Sequence, residues 1–173
     1  EQRFAKTDFV LKNINLKSIL FALVVTMFAT VSNAQISKAE IRATGLTCSM
    51  CSNAINKQLK SLPEVVNVET DLNTNTFTVT LKEGNLLSPK IFKDKVEKAG
   101  FFIGSLTLTV NSDVTNKSPY ILVNGNEKKS NQIQVLDKGY VTEKEFKKLS
   151  KSYKNIETYT LNNEEDFHIK FLD

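Results

Sequence analysis

The two cysteines of this chain, Cys48 and Cys51, are separated by two residues in the segment Gly45-Leu46-Thr47-Cys48-Ser49-Met50-Cys51. Thiolates at this spacing can bind one ion together, and soft sulfur ligands select Cu(I), Zn(II) and similar cations over Mg(II) or Ca(II). A structural zinc site needs four ligands, whereas a low-coordinate Cu(I) or Hg(II) ion needs only two. The pair therefore indicates a soft-metal site, for which Cu(I), Hg(II), Zn(II) and Cd(II) are all candidates.

A Cys-x-x-Cys pair has two other interpretations. In an oxidising compartment it can form a disulfide that closes a short loop, or it can be a thioredoxin-like redox centre. The sequence has no aromatic residue before Cys48 and no Gly-Pro between the cysteines, so the redox interpretation is less favoured. A thiol-disulfide redox protein and a non-metal interaction module remain as alternatives.

The elements that must position the cysteines are predicted from residue 35 to residue 110. Patterns of period 2 and period 3.6 alternate along this segment and predict four strands and two helices in the order βαββαβ, the ferredoxin-like arrangement. The predicted elements are a strand at 36–44, a helix at 51–62, a hairpin at 65–81, a helix that begins at Pro89 with Ser88 as N-cap and ends at Gly100, and a strand at 101–110. Cys51 would lie in the first turn of the first helix, where the helix dipole favours a thiolate.

The loop and its flanking elements resemble the heavy-metal-associated domain family. Gly45-Leu46-Thr47-Cys48-x-x-Cys51 is similar to the family motif Gly-Met-Thr-Cys-x-x-Cys, and the resemblance extends from about Ile36 to Leu106, including Ala99-Gly100-Phe101. It implies that Cys48 and Cys51 are the metal ligands, that Leu46 is the buried anchor of the loop, and that Phe101 lies as an aromatic lid near the metal. The family includes copper chaperones, modules of copper-transporting ATPases and periplasmic mercury-binding proteins, so the implied partner is a thiol-bearing metal donor or acceptor such as a metal-transporting ATPase. Leu46 replaces the usual Met, a volume-conserving change.

The second half of the chain is predicted to form a small α+β domain of unknown role. Residues 111–118 are polar and are interpreted as a linker. Residues 119–173 predict a ββαββ unit, with Thr142 and Glu145 as a capping box that begins the helix. The predicted strands are 120–123, 133–136, 156–161 and 167–171. A unit of this size is marginal alone, so we expect it to pack on the first domain.

Residues 1–34 are interpreted as a leader that ends in a secretory signal peptide. Lys12 and Lys17 precede the apolar run 19–31, and Ser32-Asn33-Ala34 supplies the small residues of a cleavage site. The run is short for a membrane span, so an N-terminal anchor is the lesser alternative and no stable membrane insertion is expected after cleavage. Residues 1–11 are interpreted as upstream sequence from an over-long gene prediction. The expected location is the bacterial periplasm or the outside of the cell.

The charge balance argues against nucleic acid as a partner. The 173 residues carry a formal charge of +4, and without the four basic and two acidic residues of the leader the remaining charge is +2. Such a small excess is not the footprint of a nucleic-acid-binding domain. The row of lysines at 144, 147, 148, 151 and 154 is interpreted as a solvated helix face, with an acidic docking partner as the alternative.

Other polar residues give no catalytic set. His168 is the only histidine, and its alternation with Phe167 and Ile169 predicts an exposed side chain rather than a second metal site. Met50 could supply a thioether ligand but is expected to lie on the docking surface, and the acidic run 164–166 is expected in a solvated turn. We therefore expect a binding protein and not an enzyme, either a monomer or a dimer bridged by a shared metal ion.

Overall fold

The protein is described by a computed structural model, which covers residues 36–47, 49–111, 118–123, 130–161, 163 and 165–172. The predicted leader, residues 112–117 of the predicted linker, residues 124–129 and Cys48 lie outside these residues.

The first part of the described chain folds in the predicted order. Its elements are β1 (Ile36–Thr44), α1 (Ser49–Lys60), β2 (Val65–Asp71), β3 (Thr76–Leu81), α2 (Pro89–Lys98) and β4 (Phe102–Val110). Strand β1 is central, with β3 and β4 antiparallel on either side, and β2 pairs antiparallel with β3. The α+β class and the ferredoxin-like βαββαβ arrangement are therefore confirmed.

The two ends of α2 follow from local sequence signals. Ser88 is the N-cap residue of α2 and Pro89 occupies the first turn, although the Ser88 side chain makes no capping hydrogen bond. Gly100, at φ +89°, provides the left-handed residue that follows the helix.

Ile55 and Leu59 are fully buried on one face of α1, which packs against β2 and α2. This packing holds the helix that carries Cys51 on one face of the sheet.

The second part of the chain extends the same sheet. Its elements are β5 (Tyr120–Leu122), β6 (Gln132–Val135), α3 (Glu143–Ser152), α4 (Glu157–Leu161) and β7 (Phe167–Phe171). Strand β6 pairs antiparallel with β4, and the seven strands follow the order β2-β3-β1-β4-β6-β7-β5. The described strands of residues 119–173 thus join the sheet of the first part, because the edge of β4 offers backbone groups that β6 pairs with.

The predicted strand at 156–161 is wrong, because Glu157–Leu161 forms the short helix α4. The Thr and Tyr residues of this segment favour a strand by composition. In the structure, Ile156 and Tyr159 both pack on one apolar cluster, and the Tyr159 amide donates to the Ile156 carbonyl at 3.1 Å. Tertiary packing of residues three apart therefore overrides the local preference, and the predicted ββαββ unit is a ββααβ segment.

At the β6–β7 side of the sheet, apolar side chains pack on both faces. Helices α1 and α2 cover one face over a large core that includes Ile41, Phe77, Phe92, Leu106, Leu108, Ile133 and Ile169. A smaller cluster of Leu136, Val141 and Tyr159 lies on the other face, and Phe146 and Leu149 of α3 pack against it. Because Val135 and Leu136 belong to different clusters, the alternation of strand residues separates the two cores.

Candidate metal centre

The cysteine loop connects the end of β1 to the start of α1. Thr44 ends the strand, Ser49 begins the helix, and Gly45 adopts φ +86°, a conformation that other residues rarely tolerate. A residue with positive φ lets the chain leave the sheet and turn at once toward the helix. The glycine of the Gly-Leu-Thr-Cys segment is therefore required by the backbone.

Cys51 lies in the first turn of α1 and is partly buried. The first turn contains no acidic residue, so no fixed negative charge opposes a thiolate at this helix end. The dipole of a 12-residue helix stabilises negative charge at its N-terminal end. This environment favours the metal-binding form of the Cys51 thiol. Cys48 lies outside the described residues.

Two apolar side chains connect the loop to the main core. Leu46 and Phe101 are partly buried and pack against the main core. A Cβ atom built on Gly45 would lie 4.0 Å from Cδ1 of Phe101, so the phenyl ring is a direct neighbour of the loop. Thr47 is exposed, and Met50 is 79% exposed. The described part of the loop thus has an apolar support beneath and an open outer side.

Phe102 was not among the residues predicted for the site. Its side chain is 67% exposed, and its carbonyl oxygen accepts a hydrogen bond from Thr44 Oγ1 at 3.2 Å. The signal for it is the strand alternation, because the buried Ile103 forces the preceding phenylalanine outward. Phe102 therefore places an exposed aromatic ring at the end of the sheet from which the loop departs.

The root of the loop is packed closely against the second part of the chain. The pairing of β1 and β4 shifts register at Gly104, between the pairs Arg42–Ser105 and Ala43–Ile103. A Cβ atom on Gly104 would lie 2.6 Å from Cγ2 of Thr44 and 3.6 Å from Cγ2 of Thr142. Thr142 is the N-cap of α3, and its Oγ1 accepts a hydrogen bond from the Glu145 amide. Thr44 and the start of α3 thus both lie next to Gly104.

The prediction of an exposed His168 is wrong, because this side chain is 1% exposed. Strand alternation correctly turns it away from Phe167 and Ile169, but α4 covers that face, and the His168 ring packs at 87° to the Tyr159 ring. The burial of His168 was not predicted, because residues 156–161 were expected to form a strand and not a helix that covers this face.

His168 takes part in a row of hydrogen bonds. Asp137 Oδ2 accepts from the His168 amide and Oδ1 accepts from Nδ1, each at 2.7 Å. Nε2 lies 2.9 Å from Thr158 Oγ1, within hydrogen-bond distance. The order Asp–His–Thr is that of a hydrolytic triad, yet the cleft described beside Asp137 has room for about one water molecule and is lined by neither His168 nor Thr158. The row of hydrogen bonds joins α4 to β7.

The described part of the chain contains no cluster of side chains that could form a second metal site. There, no three His, Cys, Asp or Glu side chains lie close enough to hold a metal ion. In the acidic run, Glu165 is exposed and Asp166 is half-buried, while Glu164 lies outside the described residues. Among the described helices, none is long and apolar enough to cross a membrane.

Comparisons with known proteins place this geometry in a family. The model of the heavy-metal-associated domain matches residues 40–102. The solved yeast copper transporter domain, studied in apo and Cu(I)-loaded states, is 34% identical over 39% of this chain and 89% of its own length, with a TM-score of 0.34. A copper-binding domain from a P-type ATPase is 26% identical over 45% of this chain and 97% of its own, with a TM-score of 0.36.

A metallochaperone named CopZ is also similar, at 19% identity over 39% of this chain and 98% of its own, with a TM-score of 0.36. No protein with a curated function matches the chain. The family match includes the end of β1, the cysteine loop, helices α1 and α2 and the start of β4. Through residues 40–102, the chain belongs to the heavy-metal-associated domain family.

Proposed function

We propose that this protein binds a soft metal ion, Cu(I) before Hg(II), Zn(II) or Cd(II), between the thiolates of Cys48 and Cys51. The observation that carries the proposal is Cys51 in the first turn of α1, inside a heavy-metal-associated domain and three residues after Cys48. Soft thiolates and a low coordination number suit Cu(I). The role is binding and transfer of the ion, with no catalytic step.

The loop's surroundings support reversible binding. Leu46 and Phe101 pack against the core, while Thr47 and Met50 are exposed and leave the outer side of the loop accessible. An ion with two thiolate ligands can accept a third from an incoming cysteine and then lose one of the first two. We therefore propose that the ion passes by ligand exchange to a thiol-bearing protein such as a metal-transporting ATPase.

Export of the protein is part of the proposal. The signal-like segment before Gln35 supports a mature chain of residues 35–173 that acts in the periplasm or outside the cell. In that compartment the cysteines must be kept reduced to bind metal. N-terminal sequencing of the mature protein tests this, and a chain that retains residues 12–34 contradicts it.

The central experiment is an anaerobic Cu(I) titration of reduced protein against a chromogenic chelator. We expect one tightly bound Cu(I) in the wild type and none in the variant Cys48→Ser/Cys51→Ser. The matched control is Met50→Leu, which removes the exposed thioether between the cysteines and should leave stoichiometry and affinity unchanged. Stoichiometric Cu(I) in the double serine variant contradicts the site.

The same preparation tests the redox alternative. Free thiols are counted in protein taken directly from its own compartment, and insulin reduction is measured in parallel. Free thiols and no reductase activity are the expected results. A fully oxidised pair with reductase activity would replace metal binding by thiol-disulfide exchange.

A further inference from the structure

The outer side of α3 is a basic stripe, formed by Lys144, Lys147, Lys148 and Lys151. At 3.6 residues per turn these positions fall within an arc of about 100° and extend for about 10 Å along the helix axis. All four side chains are exposed, and no ion pair to them is found among the described residues. The acidic residues of the helix, Glu143 and Glu145, lie in its first turn. Beyond that turn the stripe carries one sign of charge.

The stripe points away from the sheet, on the side opposite the helix that carries Cys51. Phe146 and Leu149 of α3 pack on the smaller apolar cluster, and on the helix they lie opposite the four lysines. Helix α1 instead packs on the main core, on the other face of the sheet. A large partner that contacts the stripe would therefore leave α1 facing the solvent.

An exposed apolar side chain lies on the same face of the sheet as the stripe. Leu161 ends α4 and is 69% exposed. Tyr159, two residues earlier, is buried in the cluster on which α3 also packs, so Leu161 lies on the outer side of α4. Lysines accompanied by an exposed leucine are typical of protein surfaces that contact the boundary between lipid headgroups and water.

We propose that the basic stripe adsorbs the protein to the surface of a bilayer that contains anionic phospholipids. Each lysine held near such a surface raises binding by about fivefold, so four lysines together raise it by on the order of several hundredfold over a neutral bilayer. The contact is adsorption without insertion, because the large apolar side chains of α3 are already packed on the sheet. This inference goes beyond the proposed metal binding and does not depend on it.

The composition of α3 favours a lipid surface over a protein or a nucleic acid. Lysine is depleted at protein-protein interfaces, where arginine and aromatic residues are enriched. Helix α3 has no arginine, and its one aromatic residue, Phe146, packs on the sheet. The outer side of the helix therefore offers no ring for stacking on bases either. A bilayer requires no matched side-chain geometry, because its headgroup charge is spread over a plane.

The experiment uses the reduced, metal-free mature chain of residues 35–173, which contains every described helix and strand. Co-sedimentation is measured with vesicles of phosphatidylcholine alone and of phosphatidylcholine mixed with phosphatidylglycerol, at low and high salt. The stripe variant is Lys148→Gln/Lys151→Gln, and the matched control is Lys57→Gln/Lys60→Gln on α1. Both pairs are exposed, lie three residues apart on a helix and remove the same charge. Mild acetylation of the wild type, with and without vesicles, shows which lysines the bilayer covers.

At low salt we expect the wild type to bind the mixed vesicles and not phosphatidylcholine alone, and we expect high salt to abolish this binding. The stripe variant should bind the mixed vesicles more weakly by on the order of 25-fold, and the control variant by less than about twofold. Vesicles should protect the lysines of the stripe from acetylation and leave Lys57 and Lys60 reactive.

Equal weakening in the two variants, or protection of the α1 lysines in place of the stripe, overturns the proposal. Binding of a polyglutamate peptide that the stripe variant loses, without binding to either kind of vesicle, overturns it in favour of an acidic protein. Both variants should keep the Cu(I) affinity of the wild type. Because the vesicle experiment uses metal-free protein, failure of the proposed metal site would leave its outcome unchanged.

Discussion

Replacement of Gly104 by alanine should destabilise the fold through one identifiable contact. The new Cβ atom would lie 2.6 Å from Cγ2 of Thr44, about 1 Å inside ordinary carbon-carbon contact. Cγ2 of Thr142 stands at 3.6 Å, which limits movement of the new methyl group in that direction. Thr44 cannot rotate freely, because its β-branched side chain is stiff and its Oγ1 donates to the Phe102 carbonyl.

The expected loss is about 1–3 kcal/mol, the usual result of forcing an extra methyl group into a packed site. Thr44→Ser removes Cγ2 and keeps the hydroxyl that binds Phe102. In that background the alanine should cost less than about 1 kcal/mol, since the remaining serine presents no methyl group at that position. The two substitutions should therefore show a coupling energy of about 1–2 kcal/mol.

The assay is a double-mutant cycle by urea unfolding of the wild type, both single variants and the double variant. The slopes with denaturant should agree, so that the midpoints report stability. Additive effects of the two substitutions, or a Gly104→Ala variant as stable as the wild type, would refute the steric reasoning. Cu(I) affinity of the same four proteins shows whether a displaced Thr44 also moves the cysteine loop.

Two further results are expected. Asp137→Ala leaves the His168 amide and Nδ1 without an acceptor in a buried site, which should cost about 2–5 kcal/mol of unfolding free energy. Cu(I) stoichiometry should not change, and a loss below about 1 kcal/mol in urea unfolding would show that water replaces the carboxylate. Burial raises the pKa of Tyr120 and Tyr159 above the ordinary value of about 10. Because the unfolded tyrosines ionise first, the stability that these groups contribute is complete below pH 10 and falls as pH rises above it. Unfolding midpoints between pH 8 and pH 11 measure this fall, and a constant midpoint would contradict it.

The first part of the fold was predictable because strand alternation, helix caps and turn glycines depend only on residues close to them in the sequence. The alternation of 36–44 predicted β1 with its observed bounds, and Ser88-Pro89 with Gly100 predicted the ends of α2. Gly45 was recognised from the motif, and its positive φ gives the physical reason for the residue. These features depend on backbone geometry within a few residues.

Features set by distant contacts were not predictable in the same way. His168 lies on the expected side of β7, but its burial depends on α4, whose helical state depends on the cluster around Tyr159. The pairing of β6 with β4 was also missed, because two alternating strands do not indicate which edge each will occupy. The exposure of Phe102 likewise could not be predicted without knowing which face of β4 is exposed to solvent at that end.

The shared sheet has a thermodynamic consequence for distant parts of the chain. β7 lies three strands from β1 in one continuous hydrogen-bonded ladder, so both halves contribute to a single cooperative unit. A ligand that binds only the folded loop stabilises such a unit by about 2.7 kcal/mol at a concentration 100 times its dissociation constant. Amides of β7 that exchange through global unfolding would then exchange about a hundredfold more slowly, although they touch neither the loop nor its ligand.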